Sequence, residues 1–279
     1  MWLVFALISG AFYTAQGLIT RNILRGNKDA WAFSFYFSAV GALVSLPFML
    51  ANIKIGTQIA PWALMIVVGC LVVLQNFLSF KSANTLEASL QGSITKFRLV
   101  WVFLLGIIVI HEQFSLLKLV GTLTTVLAGS IILNKFRKPS SLTGVAFAFT
   151  ATIVYGIIII LYKYLFSSFN SASLTFFIFL IPALLNVIIM PHAFERIKTM
   201  FREQHVPVLL ACGLGGFANL AMNQSLAMGE ASRALVIIEA FLVITLIGEH
   251  LFLKEKSHLP TKIVAVGLAT LGAILIRIV

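Results

Sequence analysis

Ten apolar stretches, each about as long as a bilayer is thick, divide the chain at 2–20, 31–50, 61–80, 86–108, 115–134, 143–165, 172–191, 207–227, 232–252 and 260–278. A membrane helix needs about 17 to 25 such residues. The breaks are RNILRGNKD, Pro61, KFRKPSS, the segment from Pro191 to Pro207, and LKEKSHLP; they hold the charge, proline and glycine that the stretches avoid. A backbone in lipid must satisfy its own hydrogen bonds, so each stretch is expected to be helical. With 60% hydrophobic and 10% charged residues, the chain lies far from a soluble domain, where about a quarter of residues are charged. The fold class expected is therefore an all-α, multi-pass membrane protein with ten transmembrane helices. The opening segment, MWLVFALISGAFYTAQGLIT, has no basic start and is as long as a span, so it reads as the first helix and not as a cleaved signal.

The stretches repeat. At an offset of 143 residues, Asn76 matches Asn219, Ser82 matches Ser225, Glu87-Ala88-Ser89 matches Glu230-Ala231-Ser232, Glu112 matches Glu255 and Gly129 matches Gly272. Near the chain start the offset is 142, pairing Phe5 with Phe147, Tyr13 with Tyr155 and Arg21 with Lys163. Residues 1–138 and 139–279 thus read as two five-helix repeats, and five being odd, the second enters the membrane inverted. Inverted repeats are the architecture of secondary transporters, whose substrate site lies near the midplane where the halves meet.

SANTLEAS, a span and HEQFSLLKLVGTLTTVLAGSIIL return as SLAMGEAS, a span and KEKSHLPTKIVAVGLATLGAILI. This pattern resembles the EamA-type repeat of the drug/metabolite transporter (DMT) superfamily over essentially the whole chain. The resemblance implies a five-plus-five helix EamA/DMT fold around a central cavity, importing or exporting amino acids, sugars, nucleotide sugars or other metabolites. The family often carries a proline midway along the fourth and ninth spans, where this chain has Leu99 and Leu242, which removes the usual cause of a kink.

Lys and Arg gather after the odd-numbered spans, at 21–28, 81, 135–138, 196–202 and 254–256. By the positive-inside rule both termini face outward. The expected location is the inner (plasma) membrane of a prokaryote. The net charge of +11 follows from these loops, so membrane lipids, and no nucleic acid, are the expected macromolecular surroundings. Cys70 and Cys212 have no CxxC or Cys/His spacing; no metal and no cofactor are expected. Neither GxSxG nor HExxH occurs, so a membrane-embedded enzyme is set aside, and the inverted repeat favours a carrier over a channel.

Three charges break the pattern. In SITKFRLVW, Lys96 and Arg98 fall near the middle of span 4, and Glu239 holds the matching place in span 9, each of Lys96 and Glu239 lying 16 residues before a loop glutamate. Facing lipid they would cost about 8 to 10 kcal/mol together, so they must face the interior. Lys96 shares a helical face with Ser89, Gly92 and Ser93, whereas an unbroken helix turns Arg98 about 200° away, toward Gln91 and Thr95. Lys96 and Glu239 read either as a buried ion pair locking the repeats together or as a substrate site; Arg98 is balanced between substrate and a neighbouring helix. Asn76 and Asn219, and Tyr13 and Tyr155, are matched candidates for the cavity wall, or else interhelical glue and packed aromatics. Glu87 and Glu230 begin spans and read as caps complementing the helix dipole. Asn223 opens an NQS triplet, but inside a span this is no glycosylation site.

The expected function is secondary transport of a small polar metabolite by alternating access. An amino acid or similar zwitterion leads, with Lys96 on its carboxylate and Glu239 on its ammonium or on a coupling proton. An anionic or phosphorylated metabolite is the alternative. Lys96, Glu239, Asn76, Asn219, Tyr13, Tyr155, Ser93 and Arg98 are the candidate substrate-binding residues.

Overall fold

The computed structural model describes residues 1–24, 29–86, 88–131, 141–252 and 259–278. Among these residues there are eleven helices and no strand: α1 (Trp2–Leu24), α2 (Ala30–Ala51), α3 (Ile59–Thr85), α4 (Ala88–Thr95), α5 (Arg98–Ile110), α6 (Leu116–Ile131), α7 (Leu142–Leu165), α8 (Ser171–Ile189), α9 (Ala193–Met228), α10 (Ala231–Phe252) and α11 (Leu259–Ile278). Six of them, α1, α2, α3, α7, α8 and α9, are long and apolar enough to cross a membrane. Glu87 and Glu255 lie outside the described residues. Short polar side chains start several helices: Asp29 accepts from the backbone N–H groups of Trp31 and Ala32, Ser141 from Gly144, and Asn170 from Ser173.

Two expected segments fold differently. The stretch 86–108 is not one helix, because it breaks between α4 and α5 at Lys96 and Phe97. The Thr95 hydroxyl donates to the Gly92 carbonyl at 2.9 Å, the acceptor that the Lys96 N–H would use in an unbroken helix. The chain then tightens into i→i+3 bonds, Phe97 to Ile94, Leu99 to Lys96 and Val100 to Phe97. The second difference is the segment from Pro191 to Pro207, expected as a connection but helical from Ala193, so that α9 runs 36 residues. Pro207 has no N–H for the Glu203 carbonyl, and the helix kinks nearby at Gln204 (φ −147°, ψ 34°).

The first part of α9 is an amphipathic lead-in. Phe194, Lys198 and Arg202 are exposed, while Arg196 grips Asp29 through Nε–Oδ2 and Nη2–Oδ1 contacts of 2.5 Å each, and the Tyr36 hydroxyl donates to the Ile197 carbonyl. Burial pushes the Asp29 carboxyl up, but the Arg196 hydrogen bond, the Ala32 N–H, the Arg196 charge and the Trp31 N–H outweigh it and hold it below the usual range. A depressed folded-state value adds stability above the unfolded carboxylate value of about 3.9 and loses it as pH falls through the folded one. Asp29→Asn is therefore expected to lower the Tm at pH 7, with the gap from wild type closing below about pH 4; a gap unchanged at low pH would contradict it. A cysteine at Thr199, exposed in this lead-in and on the positively charged side of the chain, is expected to resist an impermeant thiol reagent in intact cells. Labelling from outside would reverse the orientation.

The two halves interleave. α1 packs on α9 and α3 on α7; α2 packs on α9 and α3 on α8; α2 meets α8 and α6 meets α11. Under the repeat, which matches α1 with α7, α2 with α8, α3 with α9 and α6 with α11, the first two pairings exchange with their partners and the last two map onto themselves. At the α6–α11 contact a Cβ on Gly121 would lie 2.7 Å from the Gly272 carbonyl oxygen, and one on Gly272 would lie 2.6 Å from that of Gly121. Only glycine at both places lets the backbones meet so closely. One core cluster draws Met65, Leu99, Val102, Ile159, Met222 and Leu235 from both halves, whereas Leu43, Phe48, Ile66, Leu184 and Ile188 stay exposed as a lipid-facing rim requires.

Candidate functional site

The α4–α5 break puts two cations on one carboxylate. Lys96 Nζ lies 2.5 Å from Glu239 Oε2 and donates to the Glu239 backbone carbonyl at 3.0 Å. Arg98 Nη2 ion-pairs with the other oxygen, Oε1. Glu239 is 1% exposed and Lys96 7%, so the group is deeply buried. Lys96 and Glu239 stand 143 residues apart, the spacing of the repeat itself, so the ion pair joins equivalent positions of the two halves. The Arg98 guanidinium lies over the Tyr155 ring, 4.7 Å from its centroid.

Arg98 corrects the helical-wheel expectation. It does not face away from Lys96 toward Gln91 and Thr95, because the phase of α4 does not continue into α5; Gln91 instead donates to the Ser79 carbonyl and the Ser82 hydroxyl. The group Lys96–Arg98–Glu239 carries two formal positive charges and one negative.

The remaining candidates divide. Tyr13 on α1 and Tyr155 on α7 converge, their hydroxyls meeting Met222 Sδ at 3.7 and 3.4 Å. Asn76 is buried, with an amide nitrogen that has no hydrogen-bond partner among the described residues. Asn219 donates to the Gly215 carbonyl of its own helix at 2.9 Å, a local bond that does not reach the charged group. The Ser93 side chain lies outside the described residues. Asn223 is buried and donates to Thr175 Oγ1 at 2.8 Å, as a residue inside a packed span should. Sequence reasoning missed Met222, whose only signal was its place one turn after Asn219.

The sequence model of the EamA-like transporter family matches residues 1–134 and again 142–278. The chain belongs to the EamA-like transporter family. No curated protein sequence matches it. A protein of known crystal structure shares the fold with a TM-score of 0.78 over 99% of this chain and 96% of that one, at 13% identity.

In this EamA-like protein a second polar cluster sits where α1 begins and α7 ends. A cavity of about 790 Å³ is lined by Trp2, His111, Glu112, Lys163, Glu230 and Arg233 among others. Glu112, in the turn after α5, reaches into the other repeat: Oε1 accepts from the Ala231 N–H at 2.7 Å and Oε2 from the Ser232 hydroxyl at 2.5 Å. It therefore caps α10. Glu230, expected to complement that helix start, turns instead to Lys118 at 2.5 Å and Arg233 at 2.6 Å. Lys118 is 1% exposed, and a buried cation draws the nearest carboxylate more strongly than exposed backbone N–H groups do. Lys163 closes the end of α9, donating to the Leu226 and Gly229 carbonyls at 2.8 and 2.7 Å.

Proposed function

We propose that this EamA-like protein is a secondary transporter that moves a small anionic metabolite by alternating access. The reading rests on one observation, the surplus cation beside Glu239. The carboxylate is held on both oxygens by different side chains, so the ammonium of a zwitterion would have to displace a resident cation. An anion displaces no resident cation. It neutralises the surplus charge, whose burial otherwise costs a few kcal/mol. Lys96 and Arg98 bind the substrate anion in this scheme, and Glu239 keeps them soluble in the interior when substrate is absent. A proton is the candidate coupling ion, because on Glu239 it releases both cations without needing room. Asn76, with its unused amide N–H, belongs to the cavity wall; Asn219 serves its own helix.

The test is thermal unfolding of the purified protein in detergent with lactate, glucose 6-phosphate, alanine or uridine at matched ionic strength. A ligand of the folded state raises its Tm. Lactate or glucose 6-phosphate is expected to stabilise, and alanine not; stabilisation by alanine alone would return the site to a zwitterion.

A further inference from the structure

Two phenol hydroxyls inside the bundle lack an oxygen acceptor among the described residues. Tyr13 and Tyr155, matched by the repeat, both direct their O–H at one thioether, Met222 Sδ, at 3.7 and 3.4 Å. Sulfur is a weak acceptor, and a tyrosine hydroxyl held inside a protein ordinarily finds a better one. Arg98 brings a third unused donor: its Nε is buried with no hydrogen-bond partner among the described residues, while its Nη2 holds Glu239 and its plane covers the Tyr155 ring. Two hydroxyls from α1 and α7 thus converge on a thioether, and the guanidinium that covers one of their rings keeps an unused N–H.

We infer that Tyr13, Tyr155 and Arg98 Nε form the subsite for the oxyanion headgroup of the substrate, and that Met222 is the side chain this headgroup displaces. The inference rests on the anionic reading of the charged group and assigns it a headgroup pocket. Met222 sets specificity through the comparison it forces. A neutral acceptor gains little over the sulfur, whereas an oxyanion gains a charge-assisted hydrogen bond from each hydroxyl. A carboxylate and a phosphate share this chemistry, so both are needed as probes.

The experiment measures dissociation constants of lactate, glucose 6-phosphate and alanine by ligand-dependent thermal unfolding of the full chain in detergent. Tyr13→Phe and Tyr155→Phe, which keep ring and volume, are each expected to weaken the better-binding probe about ten-fold. Met222→Leu keeps the bulk and removes the competing acceptor, so it is expected to tighten that probe about three-fold, with the unliganded Tm close to wild type. If both tyrosine variants bind like wild type while Arg98→Gln loses binding, the headgroup pocket is wrong and the anionic reading stands. If alanine is the better probe and both tyrosine variants still bind it normally, both fall. Absence of binding by all three probes overturns both as well.

Discussion

Glu239→Gln is expected to abolish transport and to cost about 3 to 5 kcal/mol of stability, because it leaves two buried cations with no counter-ion. Both Lys96 and Arg98 depend on that one carboxylate. Removing either cation is a different experiment. Lys96→Met leaves Arg98 paired with Glu239 and Arg98→Gln leaves Lys96 paired with it, so both variants are expected to fold with a Tm near wild type yet to lose anion uptake. Combining Lys96→Met with Glu239→Gln does not restore a neutral interior, since Arg98 is then unpaired; once Glu239 is neutral, both cations must be replaced as well. The measurements are Tm in detergent and proteoliposome uptake of whichever anion stabilises the wild type. A Glu239→Gln protein as stable as Lys96→Met would show that the two cations do not share one carboxylate.

Glu112→Ala is expected to produce the next largest effect, a loss of about 1 to 2 kcal/mol, the usual cost of deleting a helix cap. It removes the acceptor of the Ala231 N–H and the Ser232 hydroxyl, and with it a tie between the turn after α5 and the start of α10. Amide exchange is the discriminating readout. Protection is expected to fall at Ala231, whose N–H Glu112 holds, and to stay unchanged in the middle of α9, whose end is closed separately by Lys163. Glu230→Gln, which frees Lys118 and Arg233 but leaves the cap in place, should not expose the Ala231 amide; if it does, Glu230 is the cap after all.

Much of this molecule was legible in one dimension. Hydropathy gave the helical membrane class, since only the length of an apolar run matters to a bilayer, and the duplicated EAS triplet with its later glutamate pointed to the family. The repeat offset also indicated that Lys96 and Glu239 are equivalent positions, for a symmetry between halves depends on chain spacing and not on side-chain detail. Partner choice was another matter. A helical wheel turns Arg98 to the wrong face because it assumes an unbroken helix, whereas this one breaks between α4 and α5, where the Thr95 hydroxyl takes the Gly92 carbonyl. In the sequence the lead-in of α9 reads as a connection because prolines bracket it, although Pro207 only kinks a helix that Arg196 and Asp29 dock in place.

The sequence by itself determined which residues are buried in a membrane, which are duplicated and which charges cannot face lipid, because those follow from period, spacing and the cost of desolvation. Only the tertiary structure decided that one carboxylate serves two cations, that Glu112 caps a helix 119 residues away, and that two matched tyrosines meet a sulfur. Each of these is a contact between segments distant in the chain, settled by a local break in phase or by competition between several partners within a few ångströms, and neither leaves a period in the chain.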